Sequence, residues 1–159
     1  MILVSVGTQL GFDRLMVAID SWAADNKELE IIAQIGPGKF IPRNFKSVQF
    51  FQNNEFNEKF EEADVIISHA GMGNIIGAME LNKNIIIMPR KASLGEHRNE
   101  HQLGTADAFR CKTNIHVVED EGALRSALDK LIHSKTGGTN TKIPLPSLLC
   151  ENIKVFIES

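Results

Sequence analysis

The segment VIISHAGMGNIIGAME, residues 65–80, runs from apolar residues through a histidine and two glycines into a helical pattern. Residues 65–68 predict a buried strand, and residues 73–81 predict a helix. Gly71 and Gly73 allow a positive φ or the close approach of another group to the backbone. The segment therefore predicts a strand, a tight turn and a helix, which is the repeating unit of parallel α/β folds.

The same alternation continues along the chain. Apolar runs predict further strands at 2–6, 30–34, 47–51, 84–88 and 115–118, and helical spacing predicts helices at 12–24, 54–62, 96–109 and 121–133. We therefore predict an α/β domain with a Rossmann-like parallel sheet and helices on both faces. Ligands bind such sheets at the carboxyl ends of the strands, so loops 7–11, 69–74 and 89–96 should lie along one rim.

The composition is that of an ordinary globular domain, since 43% of the 159 residues are hydrophobic and 23% are charged. The net charge of −3 provides no basic field for nucleic acid, and no apolar run approaches the ~20 residues of a membrane-spanning helix. Cys111 and Cys150 lack metal-ligand spacing, so we expect two reduced thiols in a cytoplasmic protein. We predict a domain over 1–134, a linker over 135–146 and a last helix over 147–159 docked on the same domain.

Two predicted helix starts carry glycine and polar side chains. In VGTQLG, residues 6–11, a strand ends at Gly7 and is followed by Thr8 and Gln9. Backbone N–H groups at a helix start favour an anion, although a plain turn with a capping residue has the same pattern. In SHAGMGN, residues 68–74, His69 is either a buried, hydrogen-bonded histidine or a donor to a phosphate. Two such starts on one predicted rim favour a diphosphate site.

A third polar segment, PRKASLGEHRNEHQ at residues 89–102, follows the strand that ends at Pro89. It offers several groups that could bind a polyol or a phosphate. Its HRNEH stretch also fits the inverted zinc-protease pattern, in which His97 and His101 share a helix face and Glu100 is the base. A zinc metallopeptidase is therefore a minor alternative.

Taken in order, VSVGTQLGFDRL, SHAGMGN and GEHRNEHQ resemble the C-terminal, donor-binding domain of family 28 glycosyltransferases. The likeness is strongest to the short catalytic subunits of two-component enzymes, which include the eukaryotic subunit that adds N-acetylglucosamine to a dolichol-linked acceptor. Bacterial counterparts act in capsule and exopolysaccharide assembly, so the sugar expected is N-acetylglucosamine or another hexose or hexuronic acid. The resemblance implies half of a two-domain GT-B architecture, an inverting transfer from a UDP-sugar to a lipid-linked acceptor, and no cofactor. It also implies a membrane-anchored partner subunit that binds the acceptor and recruits this chain to the cytoplasmic face of a membrane.

The resemblance further implies roles for individual residues. Those expected at the donor phosphates are Gly7, Thr8, Gln9, His69, Gly71, Gly73 and Asn74. Those expected at the donor sugar or in the same cleft are Glu96, His97, His101 and Gln102. Those expected beside the uracil base are Phe51, Gln52 and Asn53. Helix-start N–H groups, His69 and Arg90 are expected to stabilise charge on the leaving phosphate, and the base is either His97 or a group of the partner.

One position departs from the family pattern. The family usually has a ribose-binding glutamate eight residues after the turn histidine, and this chain has Gly77 there. Glu80 lies nearly one helical turn further on, and Met72 replaces a small hydroxyl residue. A module that binds a nucleotide sugar or a partner without catalysis is therefore the second functional hypothesis.

Overall fold

The computed structural model describes residues 1–135. The predicted linker and the predicted helix over 147–159 lie outside the described residues, except for Lys135, which ends the last helix described.

Six strands form one sheet, and every neighbouring pair of strands is parallel. The strands are β1 (Ile2–Ser5), β2 (Ile31–Gln34), β3 (Lys46–Val48), β4 (Val65–His69), β5 (Asn84–Met88) and β6 (Ile115–Val117). Their order across the sheet is β3-β2-β1-β4-β5-β6. The direction of winding therefore reverses between β1 and β4, which is the topological switch point of a doubly wound sheet.

Helices cover both faces of this sheet, which confirms the predicted fold class. They are α1 (Asp13–Asp25), α2 (Asn53–Glu62), α3 (Met72–Glu80), α4 (His101–Phe109) and α5 (Glu121–Lys135). Side chains of α1 and α5 pack on one face of the sheet, and those of α2, α3 and α4 pack on the other. Within β1, Val4 faces the first cluster and Leu3 the second. The strands are apolar at successive positions because both of their faces are buried.

Two predicted boundaries were wrong. The strand expected over 47–51 ends at Val48, because its partner β2 ends at Gln34 and the chain turns at Gly36, whose φ is +57°. The N–H of Phe51 donates to the side-chain Oε1 of Gln34 (3.0 Å). The helix expected from residue 96 begins at His101, after a short 3-10 helix (Ala92–Leu94) and Gly95, whose φ is +71°. Among the described residues, no helix is both long and apolar enough to cross a bilayer.

Candidate functional site

A crevice with a volume of about 490 Å³ lies at the carboxyl ends of β1 and β4, where the winding reverses. All three polar segments singled out in the sequence contribute to it, as expected for loops on one rim. The sequence-predicted residues that line it are Gly7, Thr8, Gln9, His69, Gly71, Gly73, Asn74, Arg90, His97 and Gln102.

A second lobe of about 390 Å³ shares Gly7, Thr8 and Asn74 with the first, so the two form one elongated crevice. Of the three residues predicted beside the uracil base, Phe51 and Asn53 line this lobe, whereas Gln52 is exposed and outside the lining.

Gln34 is a lining residue of the second lobe that sequence reasoning missed. Its Nε2 donates to the carbonyl oxygen of Gly7 (3.3 Å), and its Oε1 accepts from the N–H of Phe51 (3.0 Å). The buried amide thus joins the first loop to the segment that leads into α2. The only sign of this role in the sequence was that Gln34, a polar residue, ends an otherwise apolar strand.

The imidazole of His69 lies between two glycines at the centre of the crevice. A Cβ added to Gly7 would lie 2.9 Å from Cε1 of His69, and a Cβ added to Gly71 would overlap its Nε2. Gly7 also has a φ of +78°, which side chains rarely adopt. Gly7 and Gly71 are therefore required locally by the packing of this ring.

Hydrogen-bond accounting places the single proton of neutral His69 on Nδ1. The Ser68 hydroxyl donates to the carbonyl oxygen of Ser5 (3.0 Å) and accepts from Nδ2 of Asn74 (2.7 Å). Nδ1 of His69 lies 3.4 Å from the same hydroxyl, which has no further proton to give, so Nδ1 is the donor. Burial and then the nearby charge of Arg90 lower the pKa of His69 to about 4. At neutral pH its Nε2 therefore carries a lone pair beside Gly71.

Helix α3 points its N-terminus into the crevice. The first hydrogen bond at this end runs from the N–H of Ile75 to the carbonyl oxygen of Gly71. The N–H groups of Met72, Gly73 and Asn74 therefore have no acceptor within the helix and carry the partial positive charge of its end. Asn74 does not cap α3, because the helix has no side-chain cap and the amide of Asn74 donates to the Ser68 hydroxyl.

Arg90 lines the crevice, but its guanidinium holds the first loop from inside the protein. It is only 3% exposed, and its Nη2 donates to the carbonyl oxygens of Val6 (2.7 Å) and Leu10 (2.6 Å). The guanidinium carbon lies 5.2 Å from the centre of the Phe12 ring. Burial lowers the pKa of Arg90 to about 10, so it remains charged at neutral pH. Arg90 thus positions the loop and supplies charge to the crevice.

Replacing Arg90 by lysine should weaken the binding of a diphosphate ligand about tenfold. A single ammonium group cannot reproduce the planar guanidinium that joins two carbonyl oxygens and stacks on Phe12. Hydrogen exchange should become faster in the 6–11 loop, and calorimetry should show the lower affinity. Unchanged exchange and unchanged affinity in the lysine variant would exclude the positioning role.

Glu96 does not face the crevice, contrary to expectation. Its Oε1 lies 2.6 Å from Nε of Arg14, and its Oε2 accepts from Nη2 of Arg14 (2.9 Å) and from the N–H of Lys91 (2.9 Å). Burial alone would raise the pKa of Glu96, but these contacts lower it below the ordinary carboxyl value. Glu96 therefore fastens the third loop to α1.

The variant Glu96→Gln should lower the free energy of unfolding by about 1–3 kcal/mol, because it leaves the half-buried Arg14 without its counter-ion. Since the pKa of Glu96 is lowered by folding, this stabilisation is present above the ordinary carboxyl pKa and is lost as the pH falls below it. Denaturant unfolding at pH 7 and pH 3 measures both effects. A Glu96→Gln protein as stable as the parent at pH 7 would contradict the assignment.

His101 also lies outside the crevice, exposed at the first turn of α4, while the neighbouring Gln102 is buried and accepts from the N–H of Arg90 (3.0 Å). Because α4 begins only at His101, His97 precedes the helix and the two imidazoles do not share one helical face. Within residues 1–135, no three His, Cys, Asp or Glu side chains are grouped so that they could hold a metal ion. The geometry that the zinc-protease pattern requires is absent from this region.

The packing of α3 against α2 explains why position 77 is a glycine. A Cβ at this position would lie 3.2 Å from Cε1 of Phe60, a ring of α2 that belongs to the core. The glycine therefore allows α3 to approach α2 closely. Neither Gly77 nor Glu80, which is exposed at the end of α3, is among the residues that line the crevice.

These features define a doubly wound α/β domain whose ligand crevice combines a helix N-terminus, a glycine-rich loop and a half-buried histidine at the switch point. Residues 1–143 match the family model described as the glycosyltransferase family 28 C-terminal domain. The chain therefore belongs to the family 28 glycosyltransferases, as a C-terminal domain of that family.

Individual proteins agree with this assignment. The UDP-N-acetylglucosamine transferase subunit ALG13 of Debaryomyces hansenii is 36% identical over 58 residues, which are 36% of this chain and 27% of that protein. The solution structure of ALG13 has a TM-score of 0.60 at 18% identity and covers 86% of this chain and 85% of its own. The kitacinnamycin glycotransferase has a TM-score of 0.60 at 19% identity, and the match covers 82% of this chain but 34% of that enzyme. At these identities the two structures support the fold alone.

Proposed function

We propose that this chain is the donor-binding, catalytic subunit of an inverting glycosyltransferase that uses a UDP-sugar and a lipid-linked acceptor. The observation that carries the proposal is the juxtaposition, in one crevice, of the α3 N-terminus, His69 and the glycine loop. A diphosphate beside α3 would accept hydrogen bonds from the N–H groups of residues 72–74. The second lobe, lined by Phe51 and Gln34, would hold the nucleoside, and the name of the ALG13 relative supports N-acetylglucosamine as the sugar.

In the proposed reaction the acceptor hydroxyl attacks the anomeric carbon of the donor. The new carbon–oxygen bond forms as the bond to the β-phosphate oxygen breaks, and UDP leaves with the electron pair. Negative charge then grows at the helix N-terminus and within the field of Arg90, where the fixed N–H groups of α3 stabilise it without reorganisation. His69 would add a donor from Nε2 once the bound diphosphate raises its pKa and it takes up a proton. The acceptor proton passes to His97 or to a base on the membrane-anchored partner subunit.

Calorimetric titration with UDP tests the donor site. The chain, alone or with its partner, should bind UDP more tightly than uridine, because only the diphosphate would accept hydrogen bonds from the N–H groups at the start of α3. Failure to bind UDP in both forms would contradict the proposal. Transfer by the reconstituted pair tests catalysis, and a pair that binds UDP without transferring sugar would instead support a non-catalytic module. Activity of His97→Ala in that assay decides between His97 and a partner base.

A further inference from the structure

The edge of the sheet formed by β3 and the loop before it has an unusual charge. Residues 31–54 contain Lys39, Arg43 and Lys46 but no acidic residue, although the chain holds 20. All three basic side chains are exposed, and none forms an ion pair with another part of residues 1–135. A chain with a net charge of −3 therefore carries one locally positive edge.

The two acidic side chains that reach this segment bind its backbone. Asp13 accepts from the N–H groups of Lys39 and Phe40, and the buried Asp20 accepts from those of Arg43 and Asn44. These carboxylates hold the loop against α1, and their negative charge partly offsets the positive charge of the edge. The ammonium and guanidinium groups remain directed to the surface without a counter-ion in the described part of the chain.

Large apolar side chains are exposed between the basic ones. Ile41 is 70% exposed, Phe50 47% and Val48 38%, and these are three of the six large hydrophobic residues that are exposed in residues 1–135. Exposed apolar side chains among basic groups are the composition of surfaces that insert shallowly into anionic bilayers.

The same edge is poorly suited to a protein partner. Lysine is depleted in protein–protein interfaces, and charged residues are depleted in their cores, so Lys39 and Lys46 disfavour a protein partner, although arginine and phenylalanine are common in such interfaces. Strand β3 is only three residues long and begins with Lys46, which protects an edge strand against pairing with another chain. The charge and the short strand together favour a lipid surface over a protein.

We propose that this edge, which carries Lys39, Ile41, Arg43, Lys46, Val48 and Phe50, rests directly on an anionic lipid bilayer. It adjoins the crevice, because the N–H of Gly36 donates to the carbonyl oxygen of Gln49 (2.9 Å) and Phe51 lines the second lobe. Contact with lipid would place the crevice beside the membrane. Only the consequence that this brings a lipid-linked acceptor close rests on the proposed function.

Sedimentation of the full chain with lipid vesicles tests the contact. Vesicles of phosphatidylcholine with a minority of phosphatidylglycerol should bind the protein at low salt, and vesicles of phosphatidylcholine alone should bind it far more weakly. The triple variant Lys39→Ala, Arg43→Ala, Lys46→Ala should lose affinity on the order of 100-fold. A double variant, Ile41→Ser with Phe50→Ser, should lose about tenfold.

The matched control removes three positive charges elsewhere, as Lys27→Ala, Lys112→Ala and Lys130→Ala. Measured at the same salt concentration as the parent and the edge variants, it should bind within about threefold of the parent, because charges more than a Debye length from the lipid contribute little. Circular dichroism confirms that each variant is folded. The proposal is overturned if the parent ignores anionic vesicles, if it binds neutral vesicles equally well, or if the edge and control triples lose the same affinity. Binding of the edge to an acidic protein partner without binding to vesicles would also overturn it. None of these outcomes depends on UDP binding, so the two proposals fail independently.

Discussion

Replacing Gly71 by alanine should lower the affinity for UDP by at least about 100-fold while the domain remains folded. The backbone at Gly71 has φ −95° and ψ 134°, which alanine adopts without strain. The new Cβ would instead overlap Nε2 of His69 and expel the imidazole from its place between two glycines. We expect the free energy of unfolding to fall by about 1–3 kcal/mol, as for other overpacked sites. Calorimetry with UDP and denaturant unfolding measure the two effects.

Alanine variants at two further glycines distinguish an effect on packing from an effect on ligand binding. Gly104→Ala in α4 meets open space outside the crevice, so it should leave UDP affinity close to the parent value and raise the free energy of unfolding by up to about 1 kcal/mol, because alanine is the better helix former. Gly73→Ala also meets open space, but on the first turn of α3 within the crevice. It should therefore keep its stability and lose about tenfold in UDP affinity, because the methyl group obstructs the approach of a phosphate to the backbone. If Gly71→Ala bound UDP as well as the parent does, His69 would not be part of the diphosphate site.

Replacing His69 itself by glutamine should reduce sugar transfer by the reconstituted pair about 100- to 1000-fold, the usual effect of removing a group that stabilises developing negative charge. In the His69→Gln variant, UDP binding should no longer be coupled to the uptake of a proton by residue 69. The diphosphate places negative charge beside Nε2, which is unprotonated in the free protein, and should therefore raise the pKa of His69. Calorimetry in two buffers with different ionisation enthalpies should show proton uptake by the parent that exceeds that of His69→Gln. Equal uptake by both proteins would contradict this account.

His69 also predicts how the ligand-free protein responds to acid. Its pKa is about 4 when folded, against an ordinary value of 6.5, so the unfolded chain takes up a proton first as the pH falls. The associated stability is complete above pH 6.5 and is lost progressively towards pH 4, by about 3 kcal/mol. His69→Gln should lack this component of the acid destabilisation. His101→Gln, at an exposed position outside the crevice, is the matched control and should follow the parent.

Much of the fold could be predicted because its signals are local. Strands β1, β4 and β5 are buried on both faces, so each appears in the sequence as a run of at least three apolar residues, and Gly7, Gly71 and Pro89 mark the turns that follow them. The order of strands and helices along the chain follows from the alternation of apolar runs and helical patterns. The convergence of three polar loops also follows, since the carboxyl ends of parallel strands share one edge.

The features that the sequence did not predict depend on contacts between residues distant along the chain. Glu96 is adjacent to crevice residues along the chain, yet its carboxylate is taken by Arg14, 82 positions away. Gln34 gave only a weak signal, and its amide joins two loops that the sequence does not connect. Arg90 was expected to stabilise charge on the leaving phosphate, and nothing in the sequence indicated that its Nη2 also donates to two carbonyl oxygens of the first loop.

The sequence by itself determined the parallel α/β architecture, the three loops on one rim and the central place of the SHAGMGN turn. Only the tertiary structure decided that His69 is neutral with its proton on Nδ1, that Gly71 makes room for its ring, and that Gly77 makes room for Phe60. Hydrophobic periodicity and the placement of glycines are properties of neighbouring residues, so they can be recognised in the sequence. Protonation, ion pairing and ring packing depend on burial and on partners that meet only when the sheet has formed.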